Sequence, residues 1–129
     1  MTQKDKELLL KDLSARLPYG VFCSMGLDYP LPLQRLFINK LDGTLLDFYE
    51  DGKDYQVYLS EVKPYLRPMS SMTKEEKKKY AKQLFADLGG IYEDYYKALD
   101  YLHTIRMDYR GLIEKGLAIA VTEENNPYK

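Results

Sequence analysis

Val62-Lys63-Pro64-Tyr65-Leu66-Arg67-Pro68-Met69-Ser70-Ser71-Met72-Thr73-Lys74-Glu75-Glu76 is the stretch where the chain changes from one structural code to another. Upstream of it apolar residues alternate as in strands; downstream they recur at helical spacing. Pro64 and Pro68 each remove a backbone donor and push Lys63 and Arg67 toward extended geometry, which predicts a joint rather than an unbroken helix or central strand. Thr73 is placed to cap a new helix, Glu76 to close the capping box, and Glu75 and Glu76 both suit a first helical turn. Tyr65, Leu66, Met69 and Met72 are too apolar for a solvated tether, so the joint is expected to pack between the two halves it connects.

Upstream, Thr2 can cap a first helix with Asp5 as its partner, and Leu9, Leu10, Leu13 and Leu17 recur along it until Pro18. Tyr19 to Met25 alternates as a strand, and Leu27 to Pro32, with two prolines, reads as a stiff loop. Leu33 to Leu41, Thr44 to Glu50 and the Tyr55-Val57-Leu59 alternation give three more strands, joined by Asp42-Gly43 and Asp51-Gly52 hairpin turns into an antiparallel meander. In the second strand Leu33, Phe37 and Leu41 oppose Leu36 and Ile38, which predicts either a sheet covered on both faces or a meander curled into a small SH3-like barrel. From Leu59 to Leu66 the pattern fits a tight helical turn and a strand equally.

Downstream, Tyr80, Ala81, Leu84, Phe85 and Leu88 form the stripe of a second helix ended by Gly89, and Ile91, Tyr95, Ala98, Leu99, Leu102 and Ile105 that of a third. The short Gly89-Gly90 connection predicts a helical hairpin. Asp108 is placed to cap a short fourth helix through Lys115, with Gly116 and Leu117 completing a Schellman ending. Residues from about 123 carry no apolar pattern and are expected to be mobile. The expected architecture is one α+β domain over residues 1–129: a helix and β-meander half to 61, the packed joint 62–76, and a helical half from 77.

The totals bound the function. With 129 residues, 45% of them apolar, and a net charge of -1, the chain can bury a core without cross-links and has no global field for nucleic acid or membrane. Its single cysteine, Cys23, excludes an internal disulfide, and no run reaches membrane-spanning or signal-peptide length, so a cytoplasmic setting is expected. The thirteen tyrosines, against no tryptophan, offer contact area with a polar tip.

Few side chains form a pattern that carries chemistry. His103, the one histidine, has only Tyr96, Asp100 and Asp108 as neighbours by spacing, and boundary packing is its simpler role. Arg110 is best read as an internal bridge to a carboxylate. No metal ligation is expected, because there is no Cys-x-x-Cys and no second histidine, and no cofactor is implied. Tyr29, Tyr49, Tyr58 and Tyr65 are the candidates for contacting a partner, either a peptide in an extended or proline-rich conformation or a second copy of the chain. Lys63, Arg67, Lys74, Lys78 and Lys82 are the candidates for phosphate contact. Against the phosphate reading, Glu75, Glu76, Gln83 and Asp87 are expected to share the outward face with Lys79 and Lys82, and Glu75 to pair with Lys79, giving a solvated mixed-charge surface.

The segments Lys63-Pro64-Tyr65-Leu66-Arg67-Pro68-Met69-Ser70-Ser71-Met72-Thr73 and Asp108-Tyr109-Arg110-Gly111-Leu112-Ile113-Glu114-Lys115-Gly116-Leu117 resemble recurring segments of a family of small uncharacterised proteins encoded by gut Bacteroidales and their prophages. The resemblance implies a cytoplasmic, mobile-element setting where accessory, regulatory and DNA-associated proteins are common; it brings no activity or catalytic residue with it. A non-catalytic protein-interaction or accessory module is therefore the expected function. Nucleic-acid association through the Lys74–Lys82 helix is the alternative, and an enzyme comes third.

Overall fold

A computed structural model describes residues 1–26, 29–38, 43–85 and 91–129, with the side chains of 85 and 91–94 outside the description. The architecture is α+β: helix α1 (Gln3–Arg16), strands β1 (Phe22–Ser24), β2 (Leu31–Phe37), β3 (Leu45–Glu50), β4 (Lys53–Tyr58) and β5 (Lys63–Leu66), helices α2 (Lys74–Phe85) and α3 (Ile91–Thr104), and a short β6 (Ile119–Ala120). Both capping boxes form. Thr2 and Asp5 exchange bonds of 3.1 Å at the start of α1, and Thr73 and Glu76 exchange bonds of 2.9 and 3.1 Å at the start of α2. Two orphan donors of each helix end are thereby satisfied.

The sheet has six strands in the order β4-β3-β2-β1-β5-β6. Its first five strands pair antiparallel, whereas β5 and β6 run parallel, with Tyr65 opposite Ile119 and Leu66 opposite Ala120. The meander expected from the sequence is thus one end of a larger mixed sheet. No pairing joins its end strands β4 and β6 among the described residues, as a closed SH3-like barrel would require. The β3–β4 hairpin turns on Asp51 and Gly52, both left-handed with φ of 48° and 81°, as the Asp-Gly pair predicts. Asp42 of the other expected turn, and Leu41, lie outside the described residues.

A bulge explains the conflicting faces of β2. Leu33 pairs with Phe48 and Leu36 with Leu46, with a register shift between Leu33 and Arg35. The extra residue brings Leu33 and Leu36 onto the core face and turns Phe37 outward, 43% exposed, so an apolar cover on both faces is not needed. Two further strands differ from expectation at their ends. Tyr19 belongs to a 3-10 turn (Leu17–Tyr19) and β1 starts only at Phe22, while β2 starts at Leu31, inside the expected loop.

The joint opens with a strand. After a 3-10 turn at Leu59–Glu61, β5 runs through Pro64, which has no N–H to give and sits where only β1 is paired beside it, because β6 pairs from Tyr65 onward. Val62 and Leu66 enter the main core with Leu9, Leu13, Phe48 and Leu112, while Met72 joins a second cluster with Leu102, Met107 and half-buried Tyr80 and Leu99. Met69, expected inside, is 40% exposed. Helices α2 and α3 pack together; Asp87, Leu88 and the Gly89-Gly90 connection lie outside the described residues. Tyr95, placed on the apolar stripe from spacing, is 55% exposed, and among the described side chains of α3 the buried ones are Ala98, Leu102 and His103.

Residues 109–116 form turns rather than the expected fourth helix. The predicted end chemistry survives: Leu117 N–H bonds Leu112 O at 2.9 Å and Gly116 N–H bonds Ile113 O at 3.1 Å, the two bonds of a Schellman ending. Asp108 accepts from the N–H groups of Leu112 and Ile113, both at 2.9 Å, which holds the turns without a helix. The end of α3 uses the same motif with Arg106 in the left-handed position, φ 61°. Its guanidinium reaches back to Tyr19 O at 3.1 Å, a contact that offsets the left-handed strain.

The tail docks instead of hanging free. Tyr128 Oη accepts from Phe22 N–H at 3.1 Å and donates to Tyr65 O at 2.7 Å, its ring meets Phe22 edge-on, and Arg106 covers it at 4.5 Å. No helix among the described residues is long and apolar enough to cross a membrane.

Candidate functional site

The four tyrosines singled out from the sequence fall in two places. Tyr29 and Tyr65 line one cleft of about 310 Å³ together with Pro30, and the opposite wall is the tail, Glu124, Asn125 and Pro127 among it. Tyr29, 44% exposed, donates its hydroxyl to Glu50 Oε2 at 2.7 Å, and that bond pushes its ionisation up to about 12. Tyr65 is fixed from behind by Tyr128, bonded to its carbonyl. On the tail side Asn125 accepts from Thr122 and donates to Ala120 O at 3.1 Å, while Asn126 accepts from Tyr128 N–H. Tyr49 and Tyr58 are elsewhere, on the outward face of β3 and β4, where Phe37, Leu45 and Tyr58 form a cross-strand row. The tail wall was missed from sequence because nothing within Glu123–Lys129 shows that Tyr128 has a buried partner upstream.

The basic candidates also divide. Lys63 is exposed on β5. Arg67 is not a free cation: both Nη atoms lie 2.7 Å from the two carboxylate oxygens of Glu76, and Nη2 also bonds Ser71 O at 3.0 Å. Lys74, Lys78 and Lys82 are exposed at successive steps of four along α2 and so share one row. The mixed face expected around them forms in part, with Glu75 exposed among the lysines. Glu76 and Gln83 turn inward and are half-buried, Glu75 and Lys79 make no ion pair, and Asp87 lies outside the described residues.

A third cluster is buried. Asp12 of α1 accepts from Arg16 Nε at 2.7 Å and from Arg110 Nη1 at 3.0 Å, and Arg16 Nη2 bonds Met107 O at 2.6 Å. Arg110 is the internal bridge its sequence position suggested, and the network ties α1 to the segment after α3. Arg16 and Arg110 flank the ring of Tyr109, whose hydroxyl meets His103 Nε2. Burial, reinforced by Arg16 and then Arg110, pulls His103 below its ordinary value and keeps the imidazole neutral. Among the described residues Arg16 Nη1 and His103 Nδ1 find no hydrogen-bond partner. Cys23 is wholly buried, and burial pushes its thiol up, so it behaves as a small apolar group. Among the described residues no group of three or more His, Cys, Asp or Glu side chains could hold a metal.

No protein-family model, curated protein or solved structure matches the chain.

Proposed function

We propose that the chain is a small non-catalytic protein-interaction module, an accessory component of a bacterial or prophage genome, that holds an extended, proline-containing peptide in the Tyr29–Tyr65 cleft. The observation that carries this reading is the placement of Tyr29 and Tyr65 in one cleft with Pro30 and the tail opposite. Tyrosine faces accept the flat pyrrolidine rings of a polyproline-type segment, whose ordering entropy is low before it binds. Anchoring Tyr29 to Glu50 and Tyr65 to Tyr128 holds this wall in place, which removes part of the ordering cost of association. Among the described lining residues Glu124 is the acidic one, so the favoured peptide carries a lysine or arginine beside its proline. The cleft volume lies at the small end of ligand sites, which suits a grip on a few side chains. The polar groups able to move protons support a structural use: Asp12 is engaged by two arginines, and His103 is buried against Tyr109.

The test is a heteronuclear NMR titration of the full chain with proline-rich peptides with and without a basic residue. Shifts concentrated at Tyr29, Tyr65 and residues 124–127, weakened by Tyr29→Ala and by Glu124→Lys, are the expected result. Peptides that leave those resonances unmoved overturn the proposal.

A further inference from the structure

We infer that the outward face of α2 is a docking surface for the phosphate backbone of nucleic acid, independent of the peptide cleft. Five lysines of this helix, Lys74, Lys77, Lys78, Lys79 and Lys82, are exposed, and none forms an ion pair among the described residues. Of the helix's two carboxylates, Glu76 is drawn inward by Arg67, so Glu75 alone remains outside. The Arg67–Glu76 fork therefore does more than staple the joint to the helix: it leaves Glu75 as the one exposed carboxylate of α2 beside its five exposed lysines.

Two features of the row cost stability. Lys78 stands four residues from both Lys74 and Lys82, an arrangement in which like charges repel. Lys74 also lies in the first turn, at the positive end of the helix dipole, where a cation is unfavourable. An array of phosphates relieves both. From Lys74 to Lys82 the row covers about 12 Å of helix, a length over which a duplex presents about seven charges.

The chemistry selects among polyanions. A membrane surface would favour apolar groups beside the lysines for insertion, but on this face only Ala81 is exposed, and half-buried Tyr80 and Leu84 lie on the opposite side of the helix. A protein partner would be gripped chiefly by aromatic and arginine anchors, whereas the row is built of lysine, which interfaces deplete. Lysine is a point charge without the bidentate fork that reads guanine, so the row positions a backbone and does not read sequence. Since the whole chain carries a net charge of -1, the remainder is net acidic and the attraction of this face is local, not a field of the whole molecule.

The experiment measures fluorescence anisotropy of two duplexes of unrelated sequence with the full chain. Both are expected to bind alike, with affinity falling roughly 40-fold between about 50 and about 200 mM salt, the dependence for three neutralised phosphates. The variant Lys74→Glu/Lys78→Glu/Lys82→Glu is expected to lose binding at the lowest salt while its melting temperature is kept or raised. The control Lys4→Glu/Lys6→Glu/Lys11→Glu makes the same charge change on exposed positions of α1 and is expected to retain binding. Equal loss in both variants, no binding at low salt, or binding to phosphatidylserine vesicles in preference to duplex overturns the inference. Peptide binding by the cleft is unaffected by either result.

Discussion

Arg67 and Glu76 face each other as a two-bond fork, each Nη atom 2.7 Å from its own carboxylate oxygen, with the side chains 23% and 18% exposed. The pair links β5 to the first turn of α2, and the same carboxylate caps the helix through Thr73 N–H at 2.9 Å. Hydrogen bonding from Arg67 first, and the Thr73 cap after it, hold the Glu76 carboxyl at about 2. A depressed carboxylate stabilises the fold above its unfolded value and ceases to do so as pH falls through the folded one. Glu76→Gln, which can still accept the cap bond, is expected to lose about 1–2 kcal/mol at neutral pH. The gap should close between the ordinary carboxylate range and pH about 2. Urea denaturation of both proteins across that window is the check; a gap independent of pH would show that shape, and not charge, joins the two elements.

Asp12 is fully buried and engaged by two arginines, so its removal strands their charges. Breaking a buried pair on one side costs about 3–5 kcal/mol, against about 1 kcal/mol for loss of an exposed cap. Asp12→Ala is therefore expected to destabilise several times more than Asp5→Ala, although both residues are acids of the same helix. Chemical denaturation midpoints compare the two directly.

His103 stays neutral in the fold because of burial and the nearby Arg16 and Arg110, so the unfolded chain binds the proton more readily than the folded one. Its contribution is complete above the unfolded value of 6.5 and is lost as pH falls through the lower folded value. Stability should decline on acidification below 6.5, and His103→Gln should flatten that decline. An imidazole NMR titration with a folded midpoint at or above 6.5 would contradict this.

Tyr128 bonds one strand on either side through a single hydroxyl, to Phe22 N–H and Tyr65 O. Tyr128→Phe keeps the ring against Phe22 and under Arg106 but leaves those backbone groups unmatched, at an expected cost of about 1–2 kcal/mol. Hydrogen exchange should quicken at the Phe22 amide and leave the β3–β4 hairpin unchanged. Faster exchange throughout the sheet would place the tail in the global core instead.

Much of the local structure was legible in the residues. Thr2 with Asp5 and Thr73 with Glu76 start the helices they were expected to start, Asp51-Gly52 makes its hairpin, and Leu112, Gly116 and Leu117 make their ending bonds. The misreadings came where an alternation can be shifted by one residue. The bulge after Leu33 resolves two apparent apolar faces into one, and no window of sequence shows where the extra residue is absorbed. Nothing in the local sequence brings Tyr29 and Tyr65 together, and the wall that makes them a cleft is supplied by residues 124–127, distant from both in sequence.

The sequence alone determined what is closed within a few residues: caps, the Asp51-Gly52 turn and the apolar face of α1, because those groups are ones that the backbone already holds near one another. Tertiary structure decided the partners of groups with more than one suitor. Helical spacing places Glu76 beside lysines, yet Arg67 reaches it from just beyond β5 with a planar fork that satisfies both oxygens. Asp12, Arg16 and Arg110 become a buried network, and β6 becomes the parallel neighbour of β5, only when segments distant in sequence meet. Desolvation then strengthens those contacts and makes their loss costly, a term that depends on burial and cannot be read from the order of the residues.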